Sequence, residues 1–184
     1  MSTCDILMVG NFAKDILIVD GVEQTASGGG VYYGSVVIRR LGLEVVIATR
    51  LHPDDFGRLD ELDAEGVGVF FTLAEGTSGI ANYYRSDDME RRICKPIGFG
   101  GKFRIQDIPV IKTRVIMLTP LFAGEVDLAL LKILAGQALL AMDIQGFVRG
   151  PKGDSREYQP WDEKAEGLRS VPRPPHRPRG RPVP

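Results

Sequence analysis

Cysteine is scarce in this sequence, since the 184 residues include only Cys4 and Cys94. This scarcity excludes the framework of several disulfides that is typical of small secreted domains. Two cysteines in a chain without a secretion signal are usually reduced thiols, so we expect no bond between them.

The sequence also lacks a secretion signal and a long hydrophobic run. The N-terminus, MSTCDILMVG, has no basic segment ahead of its short apolar run. The most apolar stretch, 128–142, covers 15 residues and contains Lys132, whereas a membrane-spanning helix needs about 20 apolar residues. We therefore expect a cytoplasmic protein that has no membrane partner.

Basic residues are not concentrated in the part of the chain that can fold. The formal net charge is -1, and 172–184 holds four arginines, no acidic residue and six of the twelve prolines. Binding to nucleic acid needs lysine and arginine clustered on a folded face, so we predict no nucleic-acid partner. The tail itself has no apolar periodicity, and we expect 172–184 to be disordered.

Short apolar runs alternate with helical patterns along most of the chain. Predicted strands cover 5–9, 16–19, 45–48, 67–72, 114–118 and 138–144, and predicted helices cover 31–41, 54–65 and 125–134. In the first helix Tyr33, Val37 and Leu41 share one face. This alternation predicts an α/β sheet with helices on its faces.

Two segments depart from this alternation. Residues 78–96 have the pattern of two exposed strands joined by a charged turn, which predicts a lid or edge hairpin. Beyond Arg149 the pattern fades, and 150–171 offers only an amphipathic helix at 161–168.

Polar residues follow the first predicted strand, at Gly10, Asn11 and Asp15. Ligands of open α/β sheets bind beyond the carboxyl ends of strands, where a carboxylate can accept hydrogen bonds from the hydroxyls of a polyol. The alternative is that Asp15 only stabilises a turn.

A glycine triplet, Gly28, Gly29 and Gly30, precedes the first predicted helix. Glycine lets a backbone approach a bound group closely, and the start of a helix offers free N–H donors. The triplet does not match the dinucleotide fingerprint, which would need glycine at Tyr33, and the GFGGK segment ending at Lys102 is not a P-loop. A mobile turn is the alternative interpretation.

These motifs, in this order, resemble the ribokinase-like (PfkB) carbohydrate kinases. The matching segments are GNFAKD from Gly10, GGGVYYGSVVIRRLG from Gly28, RLHPDDFG from Arg50, LDAEGVGV from Leu62, TPL followed by Glu125, and MDIQGFVR from Met142. The GGxVYY form and the D-x-Q-G-x-x-R segment look like an archaeal-type branch that includes inositol kinases. The resemblance covers 5–170.

The resemblance implies an α/β sandwich with a mostly parallel sheet, helices on both faces and a small β lid at about 78–96, all within 1–149. It implies that Asn11, Asp15, Gly28, Gly29, Gly30 and Tyr33 bind the sugar or polyol, although many members have asparagine at the position of Tyr33. Gln145 and Arg149 would lie toward the nucleotide. ATP and Mg²⁺ are the implied cofactors of an intact member, and the lid could pair two subunits.

Two motifs that the family uses for phosphoryl transfer are absent from this sequence. Neither Asn11 nor Asn82, its only asparagines, starts an N-x-x-E segment, and no G-A-G-D motif supplies a catalytic base. The nearest imitation, GPKGD ending at Asp154, is not followed by an apolar helix.

We therefore predict a truncated kinase whose C-terminal part of the fold is missing, with no catalytic residue and no metal ligand of its own, and with negligible turnover. The abrupt change to proline and arginine at Pro172 suggests a shifted reading frame, a hypothesis that sequencing the gene for a downstream G-A-G-D segment would test. The alternatives are a non-catalytic sugar-binding or dimerisation module and, less favoured, an unrelated nucleotide-binding α/β protein.

Overall fold

The computed structural model describes residues 2–150 and 158–172 of the chain. The predictions for 173–184 and for Asp154 lie outside the described residues. The strands are β1 (Thr3–Val9), β2 (Ala13–Val19), β3 (Val22–Gly28), β4 (Val45–Leu51), β5 (Gly68–Leu73), β6 (Gly79–Arg85), β7 (Asp88–Gly98), β8 (Lys112–Leu118) and β9 (Leu139–Met142). The helices are α1 (Gly30–Arg40), α2 (Asp60–Ala64), α3 (Leu128–Ala135), α4 (Gln145–Val148) and α5 (Lys164–Arg169), with 3-10 turns at Pro53–Leu59 and Ile105–Asp107.

Five strands form one parallel sheet in the order β5-β4-β1-β8-β9. Apolar side chains from both faces of its central strands are buried, as expected for a parallel sheet that is covered on both sides. α1 and α2 pack on one face, where Met8 and Ile47 meet Val31 and Leu62. α3 packs on the other face through residues such as Leu131. The predicted α/β architecture is confirmed.

The other four strands form a second sheet in the order β3-β2-β6-β7, which we call the lid. The hairpin predicted at 78–96 corresponds to β6 and β7, and the lid also contains β2 and β3. The sequence analysis missed β3, because its sequence VEQTASG is mostly polar and four of its seven residues are exposed. The lid is therefore larger than the predicted hairpin.

The face of α1 that packs on the sheet differs from the predicted one. Tyr33, Val37 and Leu41 are 61%, 57% and 73% exposed, whereas Val31 and Ile38 are buried. A Cβ added at Gly34 would lie 2.5 Å from the Met8 Cε, so the small residue lets the helix approach the sheet closely. The helix therefore packs on the sheet through Val31 and Ile38 together with the small residues Gly34 and Ser35.

Residues 158–172 pack beside α3. Trp161 stacks on Phe147 with ring centroids 4.5 Å apart, and Lys132 of α3 pairs with Glu166 of α5. The amphipathic helix predicted at 161–168 corresponds to α5. Cys4 in β1 and Cys94 in β7 belong to different sheets and are not bonded to each other. Within 2–150 and 158–172, no helix has the length and apolar character that crossing a membrane requires.

The packing of α3 predicts a difference between two positions of that helix. Leu131 is 0% exposed and Ile133 is 48% exposed. Leu131→Ala should lower the free energy of unfolding by about 3 kcal/mol because it leaves a cavity in the core. Ile133→Ala, the control, should change it by less than about 0.5 kcal/mol. Urea denaturation of both variants measures this, and equal losses would contradict the packing of α3.

Candidate functional site

The chain leaves the central strand β1 at its carboxyl end and enters the lid through 10–12. A Cβ added at Gly10 would collide with the carbonyl oxygen of Thr119, which follows β8. The Phe12 N–H donates to the Thr49 Oγ1 at 2.7 Å and so ties this segment to β4. Glycine at position 10 is therefore needed for the two segments to lie side by side.

The glycine triplet returns the chain from the lid to α1 at the same place. Gly29 has φ 92, a left-handed conformation, and a Cβ there would lie 2.7 Å from the Asn11 carbonyl oxygen. A Cβ at Gly30 would lie 2.7 Å from the Thr119 Cβ. The two sequence motifs are thus brought together at the carboxyl end of the sheet, as predicted.

Asp15 lies directly against the triplet. A Cβ at Gly28 would be 2.5 Å from the Asp15 Oδ2, and the other carboxylate oxygen accepts the Ile80 N–H at 2.9 Å. Burial raises the pKa of Asp15 above its usual value, while the Ile80 N–H and the positive charges of Arg92 and Arg149 counteract this rise. The charges of Arg92, from the lid, and of Arg149, from the loop after α4, therefore both act on this carboxylate.

Arg149 reaches this place through the loop that follows β9. The Arg149 N–H donates to the Gln145 carbonyl at 2.9 Å, and the Ala123 N–H donates to the Arg149 carbonyl at 2.7 Å. The Arg149 Nε is buried and has no hydrogen-bond partner among the described residues. Gln145 begins α4 and is half-buried, and no hydrogen bond joins its side chain to Asp15 within the described part of the chain.

Two other predicted site residues, Asn11 and Tyr33, make no hydrogen bond to Asp15 within the described part of the chain. Asn11 is fully buried, whereas Asp15 is partly exposed. The Tyr33 hydroxyl donates to the Ser27 carbonyl at 3.3 Å, and its ring lies on the exposed face of α1. Their roles in binding stay predictions.

The lid contributes side chains that the sequence analysis did not assign to the site. In the registers of β2, β6 and β7, Leu17 pairs with Asn82 and Asn82 pairs with Cys94, which places Asn82 and Cys94 on the same face as Asp15. The Asn82 Oδ1 lies 3.4 Å from the Cys94 Sγ, and the Arg92 Nη1 donates to the Tyr84 hydroxyl at 2.9 Å. The alternation of Ile80, Asn82 and Tyr84 was the only signal for this face.

A buried carboxyl group, Glu125, lies beneath the segments that connect the two sheets. It accepts the Leu121 N–H at 2.7 Å and the Ser78 hydroxyl at 3.1 Å, and Ser78 in turn accepts the Gly100 N–H at 2.9 Å. Burial raises the pKa of Glu125 to about 7, although the neighbouring Asn11 amide and these donors lower it. The sequence analysis placed Glu125 at the start of a helix and gave it no function.

A second buried carboxylate, Asp55, joins the base of the lid to the segment after β4. It lies 2.7 Å from the Lys14 Nζ of β2 and accepts the Thr77 hydroxyl at 2.6 Å. Burial raises the pKa of Asp55, but these two contacts and the Arg58 charge outweigh burial, so the net pKa is lowered. The RLHPDDFG segment therefore holds the lid against the parallel sheet.

The described residues do not form a cluster suited to a metal ion. Within 2–150 and 158–172 there is no group of three or more histidine, cysteine, aspartate or glutamate side chains with suitable geometry.

Two solved structures match the chain over most of its length. A sulfate complex of a pyrophosphate-dependent kinase in the ribokinase family is 30% identical, with a TM-score of 0.80 over 90% of this chain. A pyrophosphate-dependent kinase in the same family, complexed with a pyrophosphate analog and myo-inositol, is 29% identical, with a TM-score of 0.81 over 90% of this chain. The chain spans 59% and 58% of the length of these two proteins.

A more distant structure shares the fold alone. It is the ribokinase of Cryptococcus neoformans var. grubii in complex with ADP, 13% identical, with a TM-score of 0.61 over 77% of this chain and 51% of its own. No protein-family model matches the sequence, and no curated protein matches it.

Because the glycine triplet packs closely against Asn11, alanine should lower the free energy of unfolding more at Gly29 than at Gly42. Gly29 and Gly42 both have positive φ, but nothing lies within 4 Å of a Cβ at Gly42. Gly42→Ala should therefore lose only about 1 kcal/mol of unfolding free energy through backbone strain. Gly29→Ala should lose about 3 kcal/mol, because the added methyl also collides with Asn11. Equal losses in urea denaturation would show that the two segments are not in contact.

Proposed function

Because the chain belongs to the ribokinase-like carbohydrate kinase family, we propose that it forms the acceptor-binding part of a kinase that phosphorylates a hydroxyl of myo-inositol or a related polyol. One observation carries the proposal: Asp15 lies against the glycine triplet at the carboxyl end of the parallel sheet, where ligands of such sheets bind. The bound myo-inositol in a 29% identical structure supports the choice of ligand class.

Asp15 is the residue best suited to hold the polyol. An ionised carboxylate only accepts hydrogen bonds, so its oxygens suit neighbouring hydroxyl groups. One oxygen is already oriented by the Ile80 N–H, which fixes the direction of the carboxylate before the polyol arrives. The first turn of α1, which begins at Gly30, has backbone N–H groups without partners inside the helix, and these could bind a hydroxyl of the polyol.

The lid face and the two arginines complete this pocket in our proposal. Asn82 and Cys94 offer an amide and a thiol on the face that Asp15 shares, and their polarity suits an uncharged polyhydroxy ligand. Arg149 and Arg92 bring positive charge next to Asp15, where a phosphoryl group would arrive carrying negative charge. Asn11 and Tyr33 keep the polyol-binding roles that the family resemblance implies, and Gln145 keeps its implied position toward the nucleotide.

For the phosphoryl donor we favour pyrophosphate over ATP. The two structures that are 29–30% identical are both pyrophosphate-dependent, whereas the ADP complex is 13% identical and shares only the fold. The described residues do not offer a set of ligands that fits Mg²⁺, so we assign none of them to this ion. The donor and the catalytic base would be held by residues other than those assigned to the acceptor.

The alternative is a sugar-binding module that dimerises through its lid without catalysing phosphoryl transfer. The missing G-A-G-D motif favours it, and so does the outer face of the lid, where Tyr83 pairs with Ile93 and both are partly exposed. A partner lid could cover this apolar pair.

Binding of myo-inositol tests the acceptor site directly. Titration calorimetry on the full chain should show saturable binding, and Asp15→Asn should weaken it about tenfold to a hundredfold because the hydrogen bonds to a charged acceptor are lost. Asp87→Asn, an exposed lid residue paired with Arg85, is the matched control and should bind as the unchanged chain does. If no binding occurs, or if both variants bind equally, the acceptor site is not at Asp15.

Phosphorus NMR distinguishes a chain that transfers a phosphoryl group from a non-catalytic sugar-binding module. Formation of an inositol phosphate from pyrophosphate or ATP would establish transfer by this chain and eliminate the module, whereas binding without turnover would favour the module. Transfer with ATP but not with pyrophosphate would overturn our choice of donor.

A further inference from the structure

Four chain segments connect the lid to the parallel sheet, and Glu125 lies where three of them meet. We call 10–12, 28–30, 77–78 and 98–101 the crossing segments. The Glu125 carboxyl accepts the Ser78 hydroxyl from the third segment, Ser78 accepts the Gly100 N–H from the fourth, and Asn11 of the first lies beside the carboxyl. Any change in the angle between lid and sheet must therefore strain or break these contacts.

No cation compensates the charge of this carboxyl when it ionises. The groups that act on its pKa are burial, the Asn11 amide, Ser78 and backbone N–H groups, and none of them is charged. Charged side chains on the surrounding elements are engaged with other partners. These are Arg50, which binds the Gly100 carbonyl and Asp107; Lys102, which pairs with Asp127; Asp15, which accepts the Ile80 N–H; and Arg149, which faces Asp15.

Thermodynamic linkage shows whether protonation of Glu125 favours the closed or the opened arrangement of the crossing segments. In the closed arrangement Glu125 is dry and holds its proton up to a pH of about 7, whereas in an opened arrangement water would solvate it and return its pKa toward the ordinary value. A proton that binds more tightly to one state stabilises that state. Protonation therefore favours the closed crossing segments, and ionisation favours their opening.

We propose that Glu125 is a positioning residue that links the opening of the lid to the loss of a proton, holding the crossing segments together when protonated and releasing them when ionised. The proton goes to solvent on opening and returns on closing. The consequence for ligand binding rests on the proposed function: if the polyol is held between lid and sheet, its binding closes the lid and takes up a proton.

Amide hydrogen exchange on the full chain tests the proton-linked opening of the lid without any ligand. The Leu121 N–H binds the carboxyl directly and the Gly100 N–H binds it through Ser78, so both report the opening. After correction for intrinsic exchange, their protection should fall about tenfold between pH 6 and pH 8. The Leu131 N–H of α3, which binds the Asp127 carbonyl, should show no such fall. A fall of the same size at Leu131 would assign the linkage to global unfolding and overturn the proposal.

Substitutions test whether Glu125 causes the fall in amide protection between pH 6 and pH 8. Glu125→Gln stays neutral at every pH, so it should keep the protection of the low-pH state and abolish the step at Leu121 and Gly100. Glu90→Gln, an exposed change in the β7 strand, should leave the step intact. Ser78→Ala removes one donor to the ionised carboxylate, so the step at Leu121 should move to higher pH, and this variant tests the idea if Glu125→Gln fails to fold. A step that neither variant changes would eliminate Glu125 as its cause.

Myo-inositol binding gives a second readout. Affinity should fall by up to about tenfold from pH 6 to pH 8 and become independent of pH in Glu125→Gln. If myo-inositol does not bind while the exchange step is present, the proposed function fails and the proton-linked opening stands. If myo-inositol binds but the protection of the Leu121 and Gly100 amides does not change with pH, the proposed function stands and the proton-linked opening fails.

Discussion

The site depends on how closely the crossing segments pack at the carboxyl end of β1. Side chains are absent at Gly10, Gly29 and Gly30, and at each position a Cβ would strike the backbone or side chain of a neighbouring segment. This contact brings Asp15 of the lid against the glycine triplet that starts α1. A looser junction would separate the Asp15 carboxylate from the start of α1.

The sequence predicted this junction because its parts have local signals. A strand followed by glycine and a polar residue, and a glycine triplet followed by a helix, are both visible in short windows. The rule that ligands bind beyond the carboxyl ends of parallel strands then predicts that they meet. The buried face of α1 is not the face that Tyr33, Val37 and Leu41 share, because Gly34 and Ser35 allow a close approach that the periodicity of large apolar residues does not reveal.

Other parts of the site had weaker local signals. Asn82 and Arg92 lie on the paired lid strands β6 and β7, and Glu125, which follows β8, is joined to the base of the lid through Ser78. A glutamate before an apolar helix is ordinarily interpreted as part of its first turn, and α3 in fact begins three residues later, capped by Asp127. The lid strand β3 was not predicted, because a half-exposed strand made of mostly polar residues has no apolar alternation.

The surroundings of Asp15 differ from those of Glu125, the other carboxyl group near the crossing segments whose pKa is raised. A general base must take up a proton during the reaction, which requires a proton affinity matched to that step. Burial is the largest influence on the pKa of Asp15 and raises it, whereas the Ile80 N–H and the charges of Arg92 and Arg149 favour the ionised form and limit that rise. Burial also raises the pKa of Glu125, to about 7, but this carboxyl is fully buried beneath the crossing segments. The two carboxyl groups therefore have different surroundings: Asp15 is partly exposed and is oriented by the Ile80 N–H of the lid, whereas Glu125 is enclosed by the segments that connect the lid to the parallel sheet.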